Sequence, residues 1–435
     1  MHTGRILLQS ILWRGLYYVS AFVINILIAR HFQASASGAV YYISSIYALI
    51  LLLASLSFES GIIFFSAKAE IPADRLFNFS MLWSFIIGLF TYMIVHYFFN
   101  NVYNGISPGL LLVSAVMFIS GNLMITYCSG FFYADNNFAV PNIIIITGTL
   151  ILIILIPYNG RSVLPAINDG NYFYVYFSTF FAQGLCMATA ARIKYISSWS
   201  VKILSAAQLQ MLFRYCGLAF TGNIIFFLLY RIDYFFVERY CTAAELGNYI
   251  QVSKLVHFFF VLPTILASAV FPITAAGRKD EAIDKLLTLL SRSVFFLYVF
   301  ACLLLALCGR WLFPFVFGES FANMYKPFLW LIPGILSLSG IFTLTAYFAG
   351  KNRIKENITG SVCALIVIVF GDIFLIPQYG IEAAAMVSSM GYMVYQVYII
   401  AVFKKEYKIA VADFFIFRLS DLKKIKNSIL NSVTK

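Results

Sequence analysis

The residues able to do chemistry in this chain are a few ionisable side chains set inside long apolar stretches. Arg14, Glu59, Arg231, Asp233, Lys254 and Asp372 each stand in a run built mainly from Leu, Ile, Val, Phe and Tyr. An ionisable residue is costly in hydrocarbon, so it faces a partner or a wet chamber. Arginine forks match phosphate oxygens, and lysine adds a compact positive charge. Arg14, Arg231 and Lys254 are therefore candidate ligands for a polyanion. Glu59, Asp233 and Asp372 are candidates for coupling to H+ or Na+, because burial beside removable charges changes how tightly a carboxylate holds a cation.

Spacing adds neutral groups to this set. In "GNIIFFLLYRIDYFF", Asn223 and Tyr230 fall on one helical line, with Arg231 and Asp233 at about +80° and −80° from it. Gln251 and His257 lie three residues to either side of Lys254, forming one polar stripe. Asn223, Gln251 and His257 complete the candidate substrate-binding residues. Arg14 and Glu59 lie at a similar depth, about 9 and 10 Å in from the same face. They form either a structural ion pair or a switch in which Arg14 exchanges Glu59 for the anion. Arg231 reaches either the chamber or the headgroups, His257 is either a ligand or a packed ring, and Arg214 reads as snorkelling. Asp372 is a chamber acid or an interfacial one.

The elements that position these groups follow from composition. Of 435 residues, 62% are hydrophobic and 11% charged, against about 45–50% and 25% in soluble domains. This excludes a water-soluble protein. The net charge of +12 reads as a bias toward one membrane face, not as nucleic-acid binding. The first apolar run, about 7–29, is too long for a signal-peptide core and is read as a retained span. Seven Cys lack any metal-ligand or disulfide-framework spacing. No nucleotide-binding glycine loop or catalytic constellation is present, so no enzyme activity and no bound cofactor are expected.

Twelve spans are expected, near 8–30, 40–66, 77–99, 110–133, 140–158, 172–191, 212–237, 247–272, 291–309, 326–349, 357–377 and 382–403. With the N-terminus inside, Arg14, Arg214, Arg231 and Lys254 lie in spans and Arg30, Arg161, Arg239, Arg310 and Lys326 lie outside. The other 21 of the 30 Lys and Arg lie inside, which places both termini in the cytoplasm. The segments are an N-terminal bundle 1–191, an amphipathic linker 192–211, a C-terminal bundle 212–403 and a basic tail 404–435. In the tail, Leu422, Ile425, Ile429 and Val433 have the spacing of a membrane-surface helix, with a frayed tail as the alternative. Pro263 and the pair Pro333-Gly334 interrupt spans.

The two bundles are related. "LIPYNG" at 155–160 returns as "LIPQYG" at 375–380. Ala134, Asn137, Asn142 and Ile143 match Ala349, Asn352, Asn357 and Ile358, and Arg30 and Gly38 match Arg239 and Gly247. Three matched blocks in one order imply a duplication with parallel halves around a central cavity, an architecture of transporters. In the repeated phrase, Pro ends or bends a helix and Gly permits the turn.

The segments "NILIARHFQASASGAVYYISSI", "RIDYFFVERYCTAAELGNYIQVSKLV" and "LIPQYGIEAAAMVSSM" resemble the polysaccharide-transporter branch of the multidrug/oligosaccharidyl-lipid/polysaccharide exporter superfamily, which includes the Wzx-type O-antigen flippases. The likeness spans essentially the whole chain. It departs at Gln33, where the family often has Gly, and at Gly38, where the family's Gly-x-Tyr is one residue out of step. The resemblance implies an all-α, MATE-like fold in a bacterial inner membrane. It also implies export of an oligosaccharide carried on undecaprenyl pyrophosphate, by alternating access, with coupling to an ion gradient or the membrane potential. The polyanion would then be that pyrophosphate, and the partners membrane lipids and other polysaccharide assembly proteins. A cation-coupled drug exporter of the same superfamily is the alternative. A glycan polymerase or ligase would need a sizeable outer loop, which the chain lacks, and a structural scaffold would not need buried Arg and Lys.

Overall fold

The computed structural model describes residues 2–98, 108–157, 167, 171–196, 202–275, 283–407, 409–418 and 421, and among them there is no β-strand. The α-helices are α1 (His2–Ser55), α2 (Phe58–Ala67), α3 (Ala73–Phe98), α4 (Pro108–Ala134), α5 (Ala139–Ile154), α6 (Tyr172–Tyr195), α7 (Ala206–Tyr240), α8 (Ala243–Phe259), α9 (Val261–Ala275), α10 (Ile283–Phe317), α11 (Tyr325–Gly350) and α12 (Ile354–Glu406). Eight helical stretches among the described residues are long and apolar enough to cross a membrane. The chain is a multi-pass membrane protein. The tail positions Leu422, Ile425, Ile429 and Val433, the side chain of Arg14, and Gly160 of the first repeated phrase lie outside the described residues.

Two helices contain a sharp break. Gln33 interrupts α1 at φ 62°, and Gly380 interrupts α12 at φ 60°. Gly380 is the glycine of "LIPQYG", and a left-handed residue there lets the chain turn at little steric cost. Gln33 occupies the same kind of backbone without that freedom. This gives a physical reason for the glycine that the resembling family often carries at that point.

The chain forms two compact units, one of Met1–Gln33 with Ala39–Ile224 and one of Ala34–Gly38 with Ile225–Lys435. In the first unit, α4 packs most extensively on α6 and α3 around Tyr47, Phe58, Phe118, Tyr127 and Phe177. The expected second span is not continuous: Leu56 and Ser57 adopt φ 48° and 56°, separating α1 from α2. Carbonyls left near the break find side-chain donors. Trp83 Nε1 donates to Ala54 O at 2.8 Å, and the Tyr127 hydroxyl donates to Ser55 O at 3.0 Å. Such partners are required where lipid supplies none.

In the second unit, α11 and α12 share the largest packing surface. Pro263 has no N–H for the carbonyl of Phe259 four residues earlier. The helix parts there into α8 and α9, and the Tyr298 hydroxyl takes the Phe259 carbonyl. At Pro333-Gly334 the helix continues, but its ladder is opened. The Gly334 amide donates to Ser389 Oγ at 3.2 Å, and Ser389 Oγ donates to Trp330 O at 2.6 Å. A serine of α12 thus completes the turn of α11.

The duplicated blocks correspond structurally. Asn136 and Asn352 both take left-handed backbone, φ 54° and 58°. Asn137 N–H caps Phe132 O at 2.8 Å, as Arg353 N–H caps Phe348 O at 2.7 Å. The caps therefore correspond at an offset of 216, one residue beyond the 215 that aligns Asn137 with Asn352 and the helix starts Ala139 and Ile354. The first turn holds one extra residue. The matched glycines Gly38 and Gly247 face each other in the second unit: a Cβ on Gly38 would lie 2.5 Å from Gly247 Cα, and one on Gly247 would strike Ala34 O. Side chains at either position would force the two backbones apart.

Candidate functional site

The second unit gathers most of the candidate residues. Thr242 and Glu245 close a reciprocal capping box at the start of α8, with Thr242 N–H to Glu245 Oε2 at 2.8 Å and Glu245 N–H to Thr242 Oγ1 at 3.3 Å. That box fixes where α8 begins, and so the depth of Gln251, Lys254 and His257 along it.

Lys254, His257 and, on α7, Arg231 lie within one another's electrostatic reach. The Arg231 guanidinium lies 5.3 Å from the Phe227 ring centre. His257 packs edge-on to Tyr230 at 5.9 Å and against Phe260 at 5.0 Å. Two basic side chains and an imidazole brought together inside apolar helices form a place where an anion relieves mutual repulsion. Gln251 is 1% exposed, and neither of its amide atoms has a hydrogen-bond partner among the described residues.

A second cluster is acidic. Asp233 is 3% exposed and Asp372 0%. Asp233 Oδ2 accepts from the Tyr249 hydroxyl and, at 3.0 Å, from Ser388 Oγ. Its Oδ1 and both oxygens of Asp372 have no hydrogen-bond partner among the described residues. The two carboxylates are near enough to interact. Two buried carboxyls within each other's reach favour neutralisation, by a proton or by a bound cation, because an unpaired buried charge is severely penalised. Tyr249 and Ser388 lie outside the candidate residues that the sequence alone singles out. They lie 16 and 155 residues from Asp233, and only packing of α7, α8 and α12 joins them.

The first unit holds the remaining candidates. Asn223 Nδ2 donates to Ser57 Oγ at 3.0 Å, which ties Asn223 to the break between α1 and α2. Glu59 stands in the first turn of α2, and its Oε2 is buried without a hydrogen-bond partner among the described residues.

Comparison with known proteins now adds to this geometry. The fold is similar to the lipid II flippase MurJ in an inward closed conformation, with 15% identity over 93% of this chain and 89% of that one and a TM-score of 0.70. It is similar to a multidrug resistance MATE family transporter of the MOP superfamily in an inward-facing conformation, with 13% identity over 90% and 94% and a TM-score of 0.69. A MOP superfamily transporter from Pyrococcus furiosus, whose binding pocket has reversed polarity, matches at 13% identity over 92% and 93% with a TM-score of 0.63. At these identities the likeness establishes a shared fold. A search of curated protein sequences finds no match. The profile of a family described as "Polysaccharide biosynthesis protein" matches residues 26–326, most of the chain and both of the helices that carry the basic cluster, α7 and α8, and the chain belongs to that family.

Proposed function

We propose that the protein is a flippase that moves an undecaprenyl-pyrophosphate-linked oligosaccharide from the cytoplasmic to the outer leaflet of a bacterial inner membrane by alternating access. The observation that carries this reading is the Arg231–Lys254–His257 cluster in the membrane, in a chain whose family is one of polysaccharide biosynthesis. Arg231 and Lys254 are the pyrophosphate ligands, supported by Gln251 and His257. Arg14 is a further ligand on the cytoplasmic side, and Asn223 is a further substrate-binding residue. Twelve crossings with both termini cytoplasmic arise because α1 and α12 each cross twice. Gly380 divides the 53-residue α12 into two stretches of 26, each about 39 Å long.

Coupling resides at Asp233 and Asp372, whose unpartnered oxygens and adjacent hydroxyls suit Na+ or H+. Glu59 is the corresponding acid in the first unit. Substitution of Arg14, Arg231 and Lys254 singly with Ala tests the assignment in cells. Export of the glycan should fall to background while protein abundance stays unchanged. Full export from all three variants would remove the pyrophosphate assignment.

A further inference from the structure

The first unit has a polar face that the anion and cation sites leave unused. On α4, Asn122, Thr126, Ser129 and Tyr133 recur at four, three and four residues, which is one face of a helix. Asn122, Thr126 and Tyr133 are only half-buried. Lipid offers such groups no hydrogen-bond partner, so their face is turned to protein or water. Part of their donor capacity is used along the helix: Asn122 Nδ2 to Phe118 O at 2.8 Å, Thr126 Oγ1 to Asn122 O at 2.7 Å, and Ser129 Oγ to Thr126 O at 2.9 Å. What this face presents is acceptor lone pairs, with the second Asn122 amide N–H and the Tyr133 hydroxyl as donors.

Tyrosines from two other helices converge on it. Tyr17 of α1 is within electrostatic reach of Tyr133 of α4 and of Tyr176 of α6. Tyr176 in turn neighbours Tyr41, and Tyr17 and Tyr18 stand 5.4 Å apart. The two helices that supply most of this face are themselves uncharged over its length: α4 contains no Asp, Glu, Lys or Arg, and α6 none before Arg192, with Asp135 and Lys194 at their ends. Hydroxyl and amide groups beside aromatic faces complement a neutral sugar chain. Its hydroxyls donate hydrogen bonds, and its C–H faces pack on rings.

We infer that Tyr17, Asn122, Thr126, Tyr133 and Tyr176 form a glycan-recognition surface that holds the neutral oligosaccharide of the lipid-linked substrate. The inference rests on the flippase reading and extends it, because the basic cluster would hold the pyrophosphate while this surface reads the sugar.

The test compares two probes on the purified full-length protein in detergent. One is undecaprenyl pyrophosphate alone, and the other is undecaprenyl pyrophosphate bearing a neutral trisaccharide of N-acetylglucosamine and hexoses. Wild-type protein should bind the glycosylated lipid more tightly. Tyr176→Leu or Thr126→Val should weaken that lipid about tenfold, the scale of one lost aromatic or polar contact. Both variants should leave the bare lipid unchanged, which also shows that they are folded. Tyr176→Phe, which keeps the ring, should stay within about twofold of wild type. Equal wild-type affinity for the two lipids, or equal losses for both in the variants, overturns the glycan surface and leaves the pyrophosphate reading standing. Failure of wild type to bind either lipid overturns both.

Discussion

The guanidinium of Arg292 meets the carboxylate of Asp421 at 2.6 Å, with the two side chains only 7% and 0% exposed. The second Asp421 oxygen accepts the Arg418 amide at 2.9 Å. Around this pair, Phe415 packs on Phe295 at 5.0 Å and Phe417 stacks on Phe296 at 4.9 Å. Phe415, Phe417 and Asp421, after α12, are thus anchored to α10.

Removing one member of a buried pair leaves the other charge stranded. Asp421→Ala should destabilise the protein by about 3–5 kcal/mol. The double variant Arg292→Met with Asp421→Leu should recover most of that loss. Thermal unfolding of the purified protein measures both. A single variant as stable as wild type would show that the pair contributes nothing.

Ser389 stands in for a missing rung of α11. Ser389→Ala strips the Trp330 carbonyl and the Gly334 amide of their shared partner in an apolar setting, at a cost of about 1–3 kcal/mol. Gly334→Ala should be at least as harmful, because its Cβ would lie 2.9 Å from Ser389 Oγ and 3.0 Å from the Tyr392 ring. Unfolding midpoints of the two variants decide this, and an unchanged midpoint for both would mean that water or another group repairs the turn.

Gln33 holds φ 62° and ψ 178°, a region open essentially to glycine alone. Gln33→Gly should therefore stabilise the protein by about 1 kcal/mol, and Gln33→Val should destabilise it by a similar amount. The measurement is the same unfolding midpoint. A loss of stability in the glycine variant would indicate that the Gln33 side chain contributes more than its backbone costs.

At the ends of α4 and α6, Lys194 Nζ lies 2.8 Å from Asp135 Oδ2. The hydrogen bond from Lys194 holds the Asp135 carboxyl below its usual range, and Asp135 raises Lys194 in return. The lowered acid contributes stability that is present above the ordinary Asp range and lost as pH falls through its lowered value. The raised base contributes below the ordinary Lys range, and its share is lost as pH rises through its raised value. The tie is therefore complete between about pH 4 and pH 10. Both groups are substantially exposed, so Lys194→Met should cost under about 1 kcal/mol at neutral pH. The gap between wild type and variant should close in acid, and a gap that widened there would contradict the assignment.

Much of the fold could be read from the residues because the signals are local. Apolar run length marked the helices, Pro263 marked the break before α9, and Gly380 marked the turn in α12. The capping box at the start of α8 is likewise written in Thr242 and Glu245. The break at Leu56–Ser57 carries neither Gly nor Pro, and it is sustained by Trp83, Tyr127 and Asn223, which reach it only through packing. The same holds for the site. Single buried charges were visible one at a time, whereas the hydroxyls on Asp233 and the burial of Asp372 depend on contacts between distant helices. Helical angles put Asn223 in line with Tyr230, yet its amide is bound to Ser57. Projection along one helix cannot say which neighbour each residue meets.

The central claim is that the basic cluster serves a lipid-linked anion. The direct measurement reconstitutes the pure protein in liposomes with labelled undecaprenyl-pyrophosphate oligosaccharide, and in parallel with a labelled drug cation. The account predicts that the glycolipid crosses, that Arg231→Ala and Lys254→Ala abolish its crossing, and that the cation does not cross. Transport of the drug cation with no movement of the glycolipid would contradict it.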